Sequence, residues 1–169
     1  DTQDRATACL VNVLEGMNVA AVFSGASHSL AISDEGACIS WGKNNQGQCG
    51  HGNMTDHLFP MVIEYFEGKG DLILQVAGGW EHTLATTRDG RIFSFGSGYK
   101  DSRRAGLPPV LGHGGNEHQL VPCQIMALSD ENVVHIACGW DHSLAVTAEG
   151  ILYTWGAGTN GKLGHGDEA

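Results

Sequence analysis

Residues 78–96 read GGWEHTLATTRDGRIFSFG, and this stretch decides the fold because it recurs twice more with small changes. Residues 24–42 read SGASHSLAISDEGACISWG, and residues 138–156 read CGWDHSLAVTAEGILYTWG. The three copies align without gaps and follow one another at intervals of 54 and 60 residues. A fixed period of this length is typical of solenoids and propellers.

Three glycines and a histidine are among the positions that all copies share: a glycine, a histidine three residues later, a turn glycine and a closing glycine. These residues are Gly25, His28, Gly36 and Gly42, then Gly79, His82, Gly90 and Gly96, then Gly139, His142, Gly150 and Gly156. A Gly-His-Gly follows each copy, so the repeat blocks span residues 24–52, 78–114 and 138–166. We interpret the shared residues as structural, because a repeated position indicates a repeated structural role.

Each copy predicts an antiparallel hairpin. An acidic residue and a glycine lie at the turn, where a tight hairpin needs a positive φ. The return strand is apolar or small on both faces, so both faces must be covered. A small four-stranded sheet packed between copies of itself meets that need, as in a β-propeller blade. We therefore expect an all-β fold with about three four-stranded antiparallel blades, and residues 1–169 form part of one propeller domain.

The pattern G-x-x-H-[ST]-L-A, then [DE]-G, then an aromatic residue before glycine and G-[QK]-x-G-H-G, resembles the repeat of the regulator of chromosome condensation family. The resemblance implies a seven-bladed propeller in which neighbouring blades share strands of one repeat. Three repeats would be a fragment of such a ring. We therefore expect the remaining blades to be supplied by the rest of a longer parent chain.

Net charge and cysteine content narrow the candidate partners and the candidate cellular compartment. The formal net charge is −10, which disfavours direct binding to nucleic acid. Five cysteines without C-x-x-C spacing predict a reducing compartment, so we expect a cytoplasmic or nuclear protein. No segment has the ~18 consecutive apolar residues of a membrane span, so we expect neither a membrane span nor a secretory leader.

The sequence predicts no catalytic site, cofactor or metal. Residues 156–162 nearly match a phosphate-binding loop, but Leu163 stands where a Ser or Thr should bind magnesium. The histidines recur once per repeat, and equivalent residues on successive blades would not converge on one ion. We predict instead that they connect a carbonyl and a hydroxyl across a turn or between blades.

The second repeat carries an insertion within residues 97–109, which is expected to project from one rim and contact a protein. Five of the nine basic residues lie here or nearby: Arg88, Arg91, Lys100, Arg103 and Arg104. The candidate partner-binding residues are Lys100, Arg103 and Arg104 with Tyr99 and Leu107 as apolar anchors. The alternative is a polar loop whose charges balance nearby acids.

Tryptophans distinguish two of the repeats. Trp80-Glu81 and Trp140-Asp141 stand where the first repeat has Ala26-Ser27. A tryptophan before the repeat histidine resembles the G-W-R-H-[ST] pattern of plant ultraviolet-B photoreceptors, but the arginine is replaced here by an acid. The structural alternative is that both tryptophans cover blade edges.

Three functions remain open. The favoured one is a non-catalytic protein-interaction propeller within a larger multidomain protein, such as a large ubiquitin ligase or a signalling scaffold. The second, implied by the family resemblance, is guanine-nucleotide exchange on the small GTPase Ran. The third is an ultraviolet-B photoreceptor-like dimer. The expected partner is accordingly a protein, either a small GTPase or a ubiquitination substrate.

Overall fold

The computed structural model describes residues 2–99 and 108–166, which form three antiparallel sheets. The first sheet contains β1 (Val19–Ser24), β2 (His28–Ser33), β3 (Cys38–Gly42) and β4 (His57–Val62). The second contains β5 (Ile73–Gly78), β6 (His82–Thr87), β7 (Ile92–Gly96) and β8 (Gln119–Gln124). The third contains β9 (Val133–Cys138), β10 (His142–Thr147) and β11 (Leu152–Gly156). In each sheet the strands lie side by side in chain order.

The third sheet differs from the expected four strands, since only three lie within the described residues. In the first two sheets the fourth strand begins well beyond the closing glycine, at His57 after Gly42 and at Gln119 after Gly96. The described residues after Gly156 run only to Gly166, which is short of that position. The all-β, blade-like architecture is otherwise confirmed.

The predicted hairpin turns are confirmed at each repeat. Gly36, Gly90 and Gly150 have φ values of 86°, 84° and 82°, in the left-handed region that glycine adopts without strain. Each turn joins the second and third strands of its sheet. The register is the same in all three sheets, because the repeat histidine always faces the closing glycine, as in the pair His82 and Gly96.

The sheets are arranged like blades around a common edge. The first strands of neighbouring sheets contact each other, β1 with β5 and β5 with β9, whereas β4 and β8 lie at the outer edge. We call the turns between the first and second strands of each sheet the inner turns. Those of neighbouring sheets are hydrogen-bonded, because the Ala26 N–H donates to the Gly79 carbonyl at 3.0 Å. Pro60 and Pro122 fall in the outer strands, where a missing N–H costs least.

Two apolar layers lie between the sheets. The layer between the first and second sheets includes Leu30, Ile32, Cys38, Ile63, Phe66, Ile73, Val76, Ala85, Phe93 and Phe95. The layer between the second and third includes Leu84, Ile92, Ile125, Leu128, Val133, Ile136 and Ala145. Successive residues of β7 therefore enter opposite layers, Ile92 one and Phe93 the other. The predicted two-sided burial of the return strand is confirmed in the middle sheet.

Helical structure is confined to three short 3-10 turns in the described ranges: Asn12–Leu14, Met126–Leu128 and Thr159–Gly161. The described residues accordingly contain no helix that is both long and apolar enough to cross a membrane.

Candidate interaction surface

The repeat histidines form hydrogen bonds between sheets. His28 Nε2 lies 2.9 Å from Oγ1 of Thr83 in the second sheet, and His82 Nε2 lies 3.1 Å from Oγ of Ser143 in the third. Each hydroxyl also donates to a carbonyl of the preceding repeat: Thr83 to Gln48 at 2.7 Å and Ser143 to Val110 at 2.9 Å. One hydroxyl therefore connects a histidine and a loop carbonyl of the neighbouring sheet. We call this arrangement the inter-sheet relay.

The relay fixes the protonation of its histidines. Because the Thr83 hydroxyl uses its single hydrogen in the bond to the Gln48 carbonyl, its oxygen must accept a hydrogen bond from His28 Nε2–H. The Nδ1 atoms of His28 and His82 are buried and have no hydrogen-bond partner within the described ranges. Burial lowers the pKa of His28 to about 4 and that of His82 to about 3, the latter helped by repulsion from neighbouring histidines. Both rings are therefore neutral at physiological pH.

The histidines of the Gly-His-Gly sequences are held within their own repeats. Ser94 Oγ in β7 donates to the Leu111 carbonyl at 2.7 Å and lies 2.9 Å from His113 Nε2. Ser40 makes the equivalent contacts in the first repeat, and Thr154 makes them in the third. These contacts fix the loop that supplies the relay carbonyls. No group of three or more metal-ligating residues was found in residues 2–99 and 108–166.

The loop that resembles a phosphate-binding loop has a different role. Lys162 Nζ lies 2.6 Å from Asp141 Oδ1 and 3.0 Å from Thr159 Oγ1. The lysine thus forms an ion pair within the third repeat. Cys38 and Cys49 are buried, which raises the pKa of each thiol to about 12 and makes both poor nucleophiles.

Two tryptophans lie side by side at the inner turns. The rings of Trp80 and Trp140 have centroids 4.3 Å apart and planes inclined by 52°. The backbone N–H of Trp80 also donates to the backbone carbonyl of Trp140 at 3.2 Å. Trp140 is 60% exposed, and Ala26 occupies the equivalent turn of the first sheet. We call the surface formed by Ala26, Trp80 and Trp140 the tryptophan face.

The acids that follow the tryptophans are paired with lysines. Glu81 is nearly buried and its Oε1 lies 3.8 Å from Nζ of Lys43 in the first repeat. Asp141 pairs with Lys162 in its own repeat. The tryptophan face is therefore an exposed apolar surface beside two ion pairs, rather than a concentration of uncompensated charge.

Of the five candidate partner-binding residues in the insertion, Tyr99 is the one that the structure describes, and it is not on the surface. Its side chain is 1% exposed and packs with Val110 and Leu111, so it cannot serve as an exposed anchor. The ring packs inward against these two apolar residues, which directly follow the insertion. The other candidates, Lys100, Arg103, Arg104 and Leu107, lie outside the described residues.

The predicted contact of a repeat histidine with a hydroxyl between blades is confirmed for His28 and His82, although the hydroxyl rather than the ring contacts the carbonyl. The sequence did not show which hydroxyls take part, although each repeat histidine is followed by Ser or Thr. Nor did it show that the two tryptophans contact each other.

One model of the regulator of chromosome condensation (RCC1) repeat matches residues 35–86 and 110–146, and a second matches residues 19–48, 73–100 and 133–162. The chain belongs to the RCC1 repeat family. These matches cover all three sheets.

Several proteins with RCC1 repeats are similar to this chain. The ultraviolet-B receptor UVR8 of Arabidopsis thaliana is 36% identical over 167 residues, which cover 99% of this chain and 36% of the receptor. The human E3 ubiquitin-protein ligase HERC2 is 35% identical over 153 residues, which cover 90% of this chain and 3% of the ligase. The chain thus spans about a third or less of these relatives.

A solved structure supports the propeller architecture. Prp20p from Saccharomyces cerevisiae, reported together with its binding properties to Gsp1p and histones, superposes with a TM-score of 0.71 at 26% identity. The superposition covers 89% of this chain and 36% of Prp20p. The three sheets therefore correspond to part of an RCC1 propeller.

Proposed function

We propose that this chain is part of a non-catalytic propeller that binds other proteins, and that the tryptophan face is its binding surface. The observation that carries the proposal is Trp140, a large aromatic side chain that is 60% exposed while its ring rests on Trp80. Tryptophan is enriched among the residues that dominate binding energy at protein interfaces. Its contact with Trp80 holds it in place, which reduces the entropy that a partner must remove on binding.

The chemistry near this face supports binding rather than catalysis. The nearby carboxylates of Glu81 and Asp141 are paired with lysines. The relay histidines are neutral and already hydrogen-bonded on Nε2. These groups stabilise the sheets and their turns.

The insertion extends the proposed surface. It begins at Ser97, directly after Gly96, which pairs with His82 two residues from Trp80. Ser97, the described start of the insertion, therefore lies at the same end of the strands as the tryptophan face. We propose that Lys100, Arg103, Arg104 and Leu107 contact an acidic partner surface beside the tryptophans.

The relatives suggest the setting. HERC2 is a much longer ubiquitin-protein ligase in which a similar segment covers 3% of the chain. We propose the same setting here: a propeller that recruits a partner, such as a ubiquitination substrate, to a larger cytoplasmic or nuclear protein.

Capture with matched variants tests this proposal. The wild-type chain, Trp140→Ala and Met126→Ala are immobilised at equal density, and proteins captured from cell extract are quantified by mass spectrometry. Met126 is a suitable control because it is 68% exposed and lies near the opposite ends of the strands. We expect Trp140→Ala alone to lose the specific partner, with about 10-fold or weaker affinity when that partner is purified. Equal capture by Trp140→Ala and the wild type would contradict the proposal.

Charge reversal tests the insertion separately. Arg103→Glu with Arg104→Glu is expected to reduce binding of the same purified partner at low salt, with unchanged circular dichroism. If the insertion is a polar loop, binding will equal that of the wild type.

The resemblance to Prp20p supports a second candidate, nucleotide exchange on a small GTPase. Release of a fluorescent guanine nucleotide from purified Ran distinguishes it from the interaction role. A binding propeller leaves the release rate at its baseline, and an exchange factor accelerates it.

The stacked tryptophans and the resemblance to UVR8 support a third candidate, ultraviolet sensing. The test is the molecular mass in solution before and after ultraviolet-B irradiation. A mass that changes with light in the wild type, but not in Trp80→Phe, would support sensing. A constant mass would favour the interaction role.

A further inference from the structure

A cleft lies on the outer rim of the three-sheet array, at the junction of the first and second sheets. It is bounded by β4 of the first sheet and β8 of the second, each the outermost strand of its sheet. Its volume is about 390 Å³, which is within the range of ligand-binding sites. We call it the rim cleft, and its side chains include those of His51, Asn53, Met61, Glu64, Tyr65 and Val121.

The walls of the rim cleft are apolar side chains that water reaches. Met61 of β4 is 45% exposed, and Val121 of β8 is 42% exposed. Tyr65 is half-buried, and its ring packs edge-on against Phe66 and Phe93, with centroids 5.4 and 6.0 Å away. An aromatic ring that is already held in place loses little entropy when a partner covers it. This wall therefore suits an apolar side chain.

The polar groups of the rim cleft accept hydrogen bonds. Glu64 is exposed, and its carboxylate forms no ion pair within residues 2–99 and 108–166. Ser40 donates its hydroxyl hydrogen to the Cys49 carbonyl at 2.7 Å, so its oxygen accepts from His51 Nε2–H at 2.9 Å. Burial lowers the pKa of His51, so the ring is neutral and its Nδ1 can only accept. These groups favour a ligand that donates, and the carboxylate favours a cation.

The chain itself places a cation against the aromatic wall. Lys69 Nζ lies 3.5 Å from the centroid of the Tyr65 ring, which is a cation–π contact. Lys69 is not one of the residues that line the rim cleft, so its ammonium group does not fill it. The contact shows that the Tyr65 ring is accessible to a positively charged group.

The lining of the rim cleft is not a requirement of the repeat. The Gly-His-Gly sequence beside it recurs in the second repeat, but the cleft residues of the first repeat are replaced there. The alignment of β4 with β8 gives the replacements: Cys123 for Met61, Met126 for Glu64 and Ala127 for Tyr65. The fold therefore accepts other residues at these positions, and the acid with its apolar walls is particular to this junction.

We propose that the rim cleft binds an extended peptide segment of a partner protein, in which a lysine or arginine lies beside an apolar side chain. The cation pairs with Glu64, and the apolar side chain packs between Met61, Tyr65 and Val121. An extended backbone suits this place because β4 and β8 each have one edge with no neighbouring strand in the described ranges. The formal net charge of −10 also favours a basic segment. The rim cleft is separate from the tryptophan face, which lies at the inner turns.

Titration with defined peptides tests the proposal. The probe is an acetylated and amidated peptide in which one lysine lies between two leucines, and binding to the isotope-labelled wild-type chain is followed by amide NMR shifts. We expect saturable shifts at His51 and Val121, with an affinity that falls at high salt. A peptide with glutamate in place of the lysine is expected not to bind. A peptide with alanines in place of both leucines is expected to bind more weakly.

Exchange of one residue between the two repeats provides a variant and its control. Glu64→Met introduces the residue of the second repeat, and Glu64→Gln removes the charge alone. Both are expected to weaken peptide binding by about 3-fold or more, as the loss of an exposed ion pair would. The control is Met126→Glu, because Met126 is the equivalent residue and is 68% exposed. It is expected to bind the peptide as the wild type does, and all variants should keep the wild-type circular dichroism.

Several results would overturn the proposal. No shift at millimolar peptide would show that the rim cleft does not bind such a segment. Equal affinity of Glu64→Met and the wild type would remove the carboxylate as the group that holds the cation. Equal affinity for the leucine and alanine peptides would assign the site to a simple cation rather than to a peptide. Shifts centred on Trp80, with loss of binding in Trp140→Ala, would place the peptide on the tryptophan face.

Discussion

Gly79 leaves no room for a side chain, because a Cβ at this position would lie 2.1 Å from Cε1 of His82. Gly25 has the same relationship to His28, and Gly139 has it to His142 at 2.0 Å. The spacing G-x-x-H therefore reflects a steric requirement. Each imidazole lies against the backbone of the residue three positions before it, so that residue must be glycine.

Replacing this glycine tests the steric requirement. Gly79→Ala should destabilise the fold by about 3 kcal/mol or more, because the buried His82 ring must leave its place and lose its bond to Ser143. Gly115→Ala is the control, since a Cβ there meets no atom within 4 Å. Urea unfolding of both variants measures the difference. Equal midpoints would show that the ring moves without cost.

Two buried threonines of β6 give a matched test of the inter-sheet relay. Thr83→Val leaves the His28 donor and the Gln48 carbonyl unpaired, so a loss of about 2–4 kcal/mol is expected. Thr86 is also buried, but its hydroxyl has no hydrogen-bond partner among the described residues. Thr86→Val should therefore be neutral or stabilising. A similar loss in both variants, measured by chemical unfolding, would remove the relay as the cause.

The neutral histidines predict acid sensitivity. The pKa values of His28 and His82, about 4 and about 3, lie below the ordinary value of 6.5, so the unfolded chain takes up protons first. The stability that depends on the two neutral rings is present above pH 6.5. It is lost as the pH falls below this value, toward 4 for His28 and toward 3 for His82. Between pH 7 and pH 5 the loss should be about 2 kcal/mol per histidine.

The pH effect is measured as the free energy of unfolding in urea at several pH values. His28→Gln keeps a polar side chain but does not titrate, so its pH dependence should be shallower than that of the wild type. An unchanged slope would assign the acid sensitivity to other groups.

Truncating the buried Tyr99 is expected to lower the stability of the fold more than truncating the exposed Trp140. Because Tyr99 is buried against Val110 and Leu111, Tyr99→Ala should cost about 3–5 kcal/mol. Trp140→Ala removes a mostly exposed ring from one aromatic pair and should cost about 1 kcal/mol or less. Thermal unfolding compares them, and the reverse order would contradict the burial assigned to these rings.

The repeat made most of the fold predictable. In each repeat the histidine marked the start of the second strand, the next glycine marked the hairpin turn, and the closing glycine marked the end of the third strand. Both glycines have a positive φ, which few other residue types adopt without strain. The same reasoning expected a fourth strand in the third sheet, which the described residues do not contain.

Contacts between sheets were harder to predict. The relay joins residues 55 and 61 positions apart, and local patterns do not specify which hydroxyl meets which ring at that distance. Tyr99 was misjudged for a related reason. Its neighbours in sequence are polar, but Val110 and Leu111, which bury it, come after the insertion.

The relay has a mechanical consequence. Within a sheet, neighbouring strands are joined by backbone hydrogen bonds along their length, whereas successive sheets are connected mainly by apolar contact and by scattered hydrogen bonds, among them one histidine bond per junction. A pulling force applied to the two ends of the array would therefore separate whole sheets before it unravelled any one of them. The relay hydroxyls Thr83 and Ser143 lie at those planes of separation.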